Sequence, residues 1–381
     1  MPEAVLVSAL RTPIGTAFKG TLRDTSAYDL AHHVVVAAAA DGLDPDLIDD
    51  VILGEGLYGG GVVARHAAVT AGLTQVAGLA QNRHCAAGLS AVQSAAASVR
   101  AGMDELIIAG GVNSSSTAPK SRYRVDGEWV DPWNPPTHPD RPDAPNMDMS
   151  ITVGWNAALA ADVSREEMDA WALRSHRNAI RAIDEGRFGP EVLPIETPYG
   201  LFSTDEHPRR NTSLEKLAAL KPLHPEIEGF SITAGNASGA NDAAAALVVA
   251  SDRLGLPALA TVRSWASVGI DPAQTGLAPV QAIPKALRRA GMSTADVDLF
   301  EINEAFAAMC VATIRLLGLE ADRVNVNGSG CSLGHPVAAT GARMVVTLVH
   351  ELRRRGGGIG VAAMCAGGGM GSAMVIEVPA P

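Results

Sequence analysis

Two stretches far apart in the chain share one layout. GLDPDLIDDVILGE begins at Gly42 and GMSTADVDLFEINE begins at Gly291. Each passes from a glycine suited to ending a helix, through a polar turn, into an apolar strand, and reaches a glutamate thirteen residues on, Glu55 and Glu304. The two copies lie 249 residues apart. One helix–turn–strand correspondence can arise by chance. The same offset, however, carries Cys85 onto Gly334, beside His335. A unit that returns together with chemically able side chains points to internal duplication, and so to a fold of two similar halves.

The local pattern is α/β. AVLVSA (4–9) and DVILGEG (50–56) read as buried strands, Tyr28 to Ala40 and Ala86 to Arg100 as helices, and ELIIAGG (105–111) as a strand ending in its glycines. Residues 114–150 break the pattern. They hold Pro119, Pro132, Pro135, Pro136, Pro139, Pro142 and Pro145 with Trp129 and Trp133, which predicts an irregular excursion and no sheet. Order returns at Ser164-Arg-Glu-Glu167, a capping-box spacing that starts a helix running to about Glu185 and stopped by Gly186. From about residue 242 the α/β pattern resumes.

With 381 residues the chain exceeds one ordinary domain. Apolar residues make up 47% and charged ones 19%, enough for a large core and too apolar for disorder. Aromatics are only 4%, so that core must be built from Ala, Val, Leu and Ile against closely packed glycine. A net charge of −11 argues against a nucleic-acid surface, while leaving room for an anionic ligand on a local basic patch. MPEAVLVSALRTPIG shows no basic leader or cleavage site, and no apolar run approaches the ~20 residues of a membrane span. The four cysteines, Cys85, Cys310, Cys331 and Cys365, are scattered without a CxxC pair. That disfavours a disulfide framework or a zinc site, and the expectation is free thiols in a cytoplasmic protein with no metal.

Four positions carry candidate chemistry. Cys85 stands at the threshold of the helix in QNRHCAAGLSAVQSAAASVRAG, where unpaired N–H groups and the helix dipole favour a thiolate; its plain alternative is a small buried hydrophobe. His335, in VNVNGSGCSLGHPVAATGAR, precedes Pro336 at what reads as a strand-to-helix junction and suits a neutral base or hydrogen-bond donor. Cys365 opens MCAGGGMGS, whose glycines Gly367 to Gly369 permit close backbone approach and N–H donors toward an oxyanion. Asn303 and Glu304 follow the strand DLFEI; they read equally as an N-cap with a dipole-offsetting carboxylate or as catalytic groups. All four sit where a strand ends or the next helix begins, which is where open α/β sheets build active sites. The glycine clusters match neither a dinucleotide fingerprint nor a phosphate loop.

At this point the sequence resembles the thiolase family, the acetyl-CoA acetyltransferases and 3-ketoacyl-CoA thiolases. RTPIGTAFKGTL (11–22), NRHC (82–85), SREE (164–167), TAGNASGANDAAAA (233–246), NEAF (303–306), VNVNG…LGHP…GAR (324–343) and CAGGGMG (365–371) fall in the family's order over nearly the whole chain. The resemblance implies a duplicated five-layered α/β/α/β/α core with a loop domain inserted in the first half. The expected division is 1–113 completed by about 234–256, an insert at 114–233, and a second half at 257–381. It implies that Cys85 is the acylated nucleophile, that His335 activates it and helps form one oxyanion hole, and that Asn303 positions a water completing that hole. It further implies that Cys365 moves the proton at the substrate α-carbon and that the N–H groups of Cys85 and Gly367 form a second oxyanion hole. Ser238 in NASG, Arg209 in DEHPR and Phe306 in NEAF match positions beside coenzyme A, which serves as cosubstrate with no permanently bound cofactor. A homodimer or homotetramer acting in fatty-acid metabolism is implied.

The chain departs from the family's pattern at Ala87 in the CxSG frame, at Met149 where a histidine is often found, at Trp155 within Ser150–Asn156, and at Thr275 in DPAQTG. These positions tend to line the acyl and pantetheine pocket, so a bulkier or unusual acyl chain is expected. Two other readings compete. One is a decarboxylating condensing enzyme of the ketoacyl synthase type, against which Cys365 stands. The other is a thiolase-like protein that binds acyl-CoA without turnover, against which the intact set of Cys85, His335, Asn303 and Cys365 stands. His32, His33, His84, Cys310 and Cys331 read as structural.

Overall fold

Strict alternation along the longest strand explains how the sequence builds layers. In Asn241–Ser251, Ala245, Leu247 and Val249 enter one apolar core, while Ala244, Ala246, Val248 and Ala250 enter another. A strand buried on both faces needs apolar residues at both parities, which is what this run supplies. The computed structural model describes residues 1–40, 42–56, 62–131 and 136–380; Pro132, Trp133 and Pro135 lie outside them.

The N-terminal elements are β1 (Ala4–Arg11), β2 (Gly15–Thr16), α1 (Ala27–Ala39), β3 (Asp50–Gly54), α2 (Val63–Thr70), β4 (Ala77–Gln81), α3 (Ala87–Ala101) and β5 (Leu106–Ser114). A middle segment follows, with β6 (Tyr123–Val125), β7 (Glu128–Val130), a π-helical turn (Ser150–Trp155), α4 (Asn156–Ala160), α5 (Arg165–Asp184), β8 (Ile195–Thr197), β9 (Gly200–Phe202) and α6 (Leu214–Ala218). The chain then returns through β10 (Asn241–Ser251), β11 (Ala260–Gly269), α7 (Ala278–Ala290), β12 (Leu299–Ile302), α8 (Ala307–Leu317), α9 (Gly330–Leu333), α10 (Thr340–Arg354), β13 (Gly358–Ala366) and β14 (Met370–Val378).

The sheet runs β12-β13-β14-β11-β1-β10-β5-β3-β4, with β2 beside β10. Its two halves have the same pairing. β1 is antiparallel to β10, β10 to β5, and β5 is parallel to β3; β11 is antiparallel to β14, β14 to β13, and β13 is parallel to β12. Among the described residues the two half-sheets pair with each other through Val5 with Thr261 and Leu6 with Ala260. The repeated sequence falls on matching pieces, a 3-10 turn at Pro45–Leu47 before β3 and another at Thr294–Asp296 before β12.

Of the four apolar clusters among the described residues, the three largest lie between the five layers, the central one serving both faces of its helix layer. The first packs α1 and α2 on the outer face of the N-terminal half-sheet. The second holds α3 and α10 between the half-sheets, against Ile107, Leu247, Met364 and Met374. The third packs α7, α8 and the middle segment on the outer face of the other half-sheet, against Val361, Ala363 and Val375. Among the described residues no helix is long and apolar enough to cross a membrane.

Three details differ from the sequence reading. β5 runs through Gly110 and Gly111 to Ser114. A Cβ on Gly111 would lie 2.1 Å from the Ala338 carbonyl oxygen, so this glycine admits the segment leading into α10 where the strand was expected to end. The Pro-rich excursion contains a small exposed hairpin, β6 with β7. β4 was not foreseen, because AGLAQ is a half-exposed edge strand without a strong apolar run.

The central helices touch backbone to backbone. A Cβ on Gly88 of α3 would lie 2.5 Å from Ala338 O, and one on Gly341 of α10 would lie 2.5 Å from Leu89 N. Gly341→Ala is therefore expected to lower stability by about 1–3 kcal/mol through overpacking. Gly269→Ala, where a Cβ meets nothing within 4 Å, serves as the control in a denaturant titration and should leave the midpoint unchanged.

Candidate active site

The contact between Gly88 and Ala338 brings the N-terminal ends of α3 and α10 together. Cys85 lies two residues before α3 and four beyond β4. A tight turn presents it. His84 adopts a left-handed φ of 46°, the Ala86 N–H donates to Arg83 O (3.0 Å), and the Ala87 N–H donates to His84 O (3.0 Å). Arg83 pins this turn by donating to Ser90 Oγ at 2.9 Å and to Ser267 Oγ of β11. Cys85 is half-buried, whereas Cys310, Cys331 and Cys365 are buried.

Burial pushes the Cys85 thiol above its ordinary pKa, and the backbone N–H groups of Gly367 and of Cys85 itself partly offset the rise. This corrects the expectation of a ready thiolate. Neither α3 nor α10 has a side-chain cap, but the first N–H of each is already taken, Ala87 by His84 O and Thr340 by Pro336 O, and desolvation of the sulfur prevails. Cys365 occupies the penultimate position of β13, with its Sγ 3.5 Å from Met309 Sδ of α8. Its thiol is raised by burial and then by the proximity of Cys85. Gly368 and Gly369 follow at φ 86° and 74°, and Thr275 Oγ1 accepts from the Gly369 N–H at 2.9 Å. Thr275 is fully buried, so this departure from the family pattern holds the glycine loop in place. Met149 and Thr137 face that loop, each about one van der Waals contact from where a Gly367 Cβ would stand.

His335 lies between α9 and α10, not at a strand end; its approach to the sheet is a bridge with Ala240 just before β10. Gly334 makes the approach possible, since its φ is 99° and a Cβ there would lie 2.3 Å from the Asn241 side chain. Asn241 Oδ1 accepts from the His335 N–H at 3.0 Å. The ring's tautomer follows from its partner. Thr340 Oγ1 donates to Pro336 O at 3.0 Å, so at 2.7 Å from Nδ1 it accepts the imidazole proton. Nδ1 then carries the hydrogen, and Nε2 is left as the base. Burial and then the charge of Arg343 lower the His335 pKa to about 4. The resting pair is therefore thiol and neutral imidazole.

Asn303 follows β12, its N–H bonded to Ala363 O (3.0 Å) and its Nδ2 3.4 Å from His335 Nε2. Its Oδ1 is buried and has no hydrogen-bond partner in the protein. The N-cap alternative for Asn303 is not what forms, because Phe306 holds the cap position of α8 and no side chain caps it. Glu304 is likewise no dipole partner. It is fully buried and accepts from Trp171 Nε1 (2.9 Å), Ser175 Oγ (2.6 Å), Asn325 Nδ2 (2.8 Å) and Cys331 N (3.1 Å), tying α5 and α9 to the end of β12.

The structure thus gathers Cys85 with Gly367 and Cys365, gathers Asn303 with His335, and sets the two groups at adjoining helix ends. Among the described residues no hydrogen bond joins Cys85 to His335. Ser238 and Phe306 lie side by side, through a Ser238 N–H bond to Ala305 O (3.0 Å) and a bridge between Ala237 and Phe306. Phe306 packs where a Cβ on Gly154 would lie 3.0 Å from its ring. Arg209 is exposed, on the rim of a depression of 330 Å³ that also holds Arg210 and Lys216. Sequence reasoning missed Thr340, Asn241 and Met309. Thr340 alone had a local signal, five residues beyond His335 on the incoming helix.

Two outcomes follow from these groups. Thr340→Val removes the acceptor that fixes the tautomer, and should lower kcat about ten- to a hundredfold with little change in KM, less than the ~10²–10⁴ of a full general base. Steady-state kinetics across pH also test the ring's depressed pKa, because the acid limb set by His335 should fall near pH 4 and not near 6.5. His176 and His207 are likewise lowered to about 4, chiefly by burial. Unfolding lets all three rings regain protons, so the stability they carry is complete above about pH 6.5 and lost as the pH falls toward 4. Denaturation midpoints measured between pH 7 and 4.5 should show that slope, flattened in His176→Gln.

Comparison with known proteins agrees with this geometry. The model of the thiolase N-terminal domain matches residues 4–253, and that of the thiolase C-terminal domain matches residues 256–378. The chain is 41% identical over 402 residues to an acetyl-CoA acetyltransferase of Escherichia coli (strain K12), covering 99% of each protein. It is 38% identical over 412 residues to a 3-ketoacyl-CoA thiolase of Bacillus subtilis (strain 168), covering 99% of this chain and 100% of the relative. Its fold superposes on human mitochondrial 3-ketoacyl-CoA thiolase in complex with CoA with a TM-score of 0.90 and 34% identity, covering 99% of this chain and 98% of that one. Two family models that together span almost the whole sequence, laid over a duplicated five-layered core, show that the chain belongs to the thiolase family.

Proposed function

We propose that this chain is an acyl-CoA C-acyltransferase that cleaves 3-ketoacyl-CoA with coenzyme A, or runs the reverse Claisen condensation, through an acyl-cysteine at position 85. One observation carries the reading. The backbone N–H groups of Gly367 and Cys85 ease charge on the Cys85 sulfur, and Gly367 follows Cys365 by two residues at the end of β13. Once that sulfur holds an acyl group, the same two N–H groups stand beside the thioester oxygen, as an oxyanion hole requires.

The steps balance as follows. Cys85 Sγ attacks the ketone carbon while its proton passes to His335 Nε2. The raised thiol and lowered imidazole make this a transfer in the attack and not a preformed ion pair. The ketone oxygen becomes an oxyanion held by His335 and by a water on Asn303, whose unpartnered Oδ1 supports that role. The bond between C2 and C3 breaks, and the electron pair on C2 takes the proton of Cys365, releasing acetyl-CoA. In the second half-reaction the thiol of incoming coenzyme A passes its proton to the Cys365 thiolate and attacks the acyl-Cys85 carbonyl between the N–H groups of Cys85 and Gly367, while the proton held on His335 Nε2 returns to the departing Cys85 sulfur. Cys85 leaves as a thiol, and the shortened acyl-CoA departs. Ser238 and Phe306 line the pantetheine path, and Arg209 with its basic neighbours meets the nucleotide phosphates.

The reading extends to organisation. It divides the chain into 1–113 with 234–256, an insert at 114–233 and a second half at 257–381, supported by β10 lying between β1 and β5. It places the enzyme in the cytoplasm as a homodimer or homotetramer. The unpaired outer edge of β4, with Leu79 exposed, supports association of copies. Met149, a departure from the family pattern that stands beside Gly367, supports a bulkier or branched acyl chain.

Incubation with 3-ketoacyl-CoA should add an acyl mass to Cys85 in peptide mass spectrometry, and Cys85→Ser should lose the adduct and cut thiolysis by about 10³-fold or more. Undiminished thiolysis by Cys85→Ser would sink the assignment, as would condensation that proceeds only with malonyl-CoA. A thiolysis panel of varied chain length tests the pocket, and a sharp preference for acetoacetyl-CoA would count against the bulky-chain reading.

A further inference from the structure

The end of α10 remote from the candidate active site borders a second, strongly basic cavity. Its volume is 420 Å³, and five arginines line it. Arg174 and Arg181 come from α5, Arg187 from the turn after α5, and Arg354 and Arg355 from the last turn and C-cap of α10. Asn178 of α5 lies between the first two. The spacing of Arg174, Asn178 and Arg181 by four and three residues puts all three on one helix face. The fifteen residues of α10 separate this cavity from the active-site end by about 20 Å at the usual helical rise.

The carboxylates present do not match these guanidinium groups. Glu185 pairs with Arg187 at 2.6 Å, and the single Glu351 serves both Arg354 (2.6 Å) and Arg355 (2.7 Å). Asp322 lines the cavity without an ion pair among the described residues. Arg174 donates to the carbonyls of Ala321 and Val324, and Arg181 donates to Asn178 Oδ1; neither has a carboxylate partner among the described residues. Arg354 and Arg355 have an ordinary explanation, since cations offset the negative end of a helix dipole. Arg181, in the last turn of α5, has the same explanation, whereas Arg174 sits in the middle of that helix and does not. In a chain of net charge −11 the cavity reverses the local sign.

We propose that this cavity binds a metabolite carrying a diphosphate or triphosphate group. A guanidinium presents a planar fork of donors that matches phosphoryl oxygens two at a time. Forks arriving from α5, from the turn after it and from the end of α10 suit a chain of phosphoryl groups better than one phosphate. The concave shape and the acidic remainder of the chain speak against a nucleic-acid track. The site shares no lining residue with the depression around Arg209, so it is separate from the coenzyme end of the active site.

Isothermal titration of the intact protein with inorganic tripolyphosphate tests this. We expect saturable one-to-one binding, weakened about tenfold or more in the double variant Arg181→Gln/Arg355→Gln. Arg288→Gln, exposed on α7, and Arg209→Gln should bind like the parent protein. If the double variant folds poorly, Arg181→Gln alone carries the test, because that exposed side chain bonds only Asn178; a loss of about threefold is then expected. Absence of saturable binding, an equal loss in Arg288→Gln, or loss confined to Arg209→Gln would each overturn the proposal.

Discussion

The close approach of α3 and α10 is the constraint on which the site depends. Each helix belongs to one copy of the duplicated unit, and each is buried between two half-sheets. Their backbones come within a distance that no side chain at Gly88 or Gly341 could share. Glycine costs a helix about 1 kcal/mol against alanine, and here that cost is met by the apolar surface the tight crossing removes from water. The consequence is chemical. Two helix ends meet, and the residues just before them, Cys85 and His335, come from opposite halves of the chain.

Around this contact the protein holds an unusual amount of buried polarity, and most of it fixes geometry. Arg11 is fully buried, donates to Glu191 at 2.7 Å and grips Asp205 through both terminal nitrogens at 2.8 and 2.9 Å. It thereby ties β1 to the segment after α5. Arg343 does the same between α10 and β12 through Glu301. Such pairs add little net stability, because desolvation offsets attraction, but losing one partner strands a charge at a cost of about 3–5 kcal/mol. Glu304 belongs with them. Its four donors hold the end of β12, and so Asn303, against His335.

Much of the fold was legible. The strands at β1, β3 and β5, the helices α1, α3 and α5, and the capping box at Ser164 appear where the pattern put them, because period and capping chemistry are local. The repeat at Gly42 and Gly291 foretold matching half-sheets. Three errors share a cause. The glycines of β5, the supposed N-cap at Asn303 and the thiolate at Cys85 were each read from their neighbours in sequence. In the structure each is governed by something far along the chain: Ala338 against Gly111, His335 beside Asn303, and the core closing over the sulfur.

The sequence by itself determined the elements, their order, the duplication and the residue types able to do acyl chemistry, since alternation, capping and backbone sterics act over a few residues. Only the tertiary structure decided which sulfur meets which amide, which ring nitrogen carries the proton and how far each group titrates from its free value. Those properties depend on desolvation and on partners up to hundreds of residues away, and neither exists until the two halves have closed on each other.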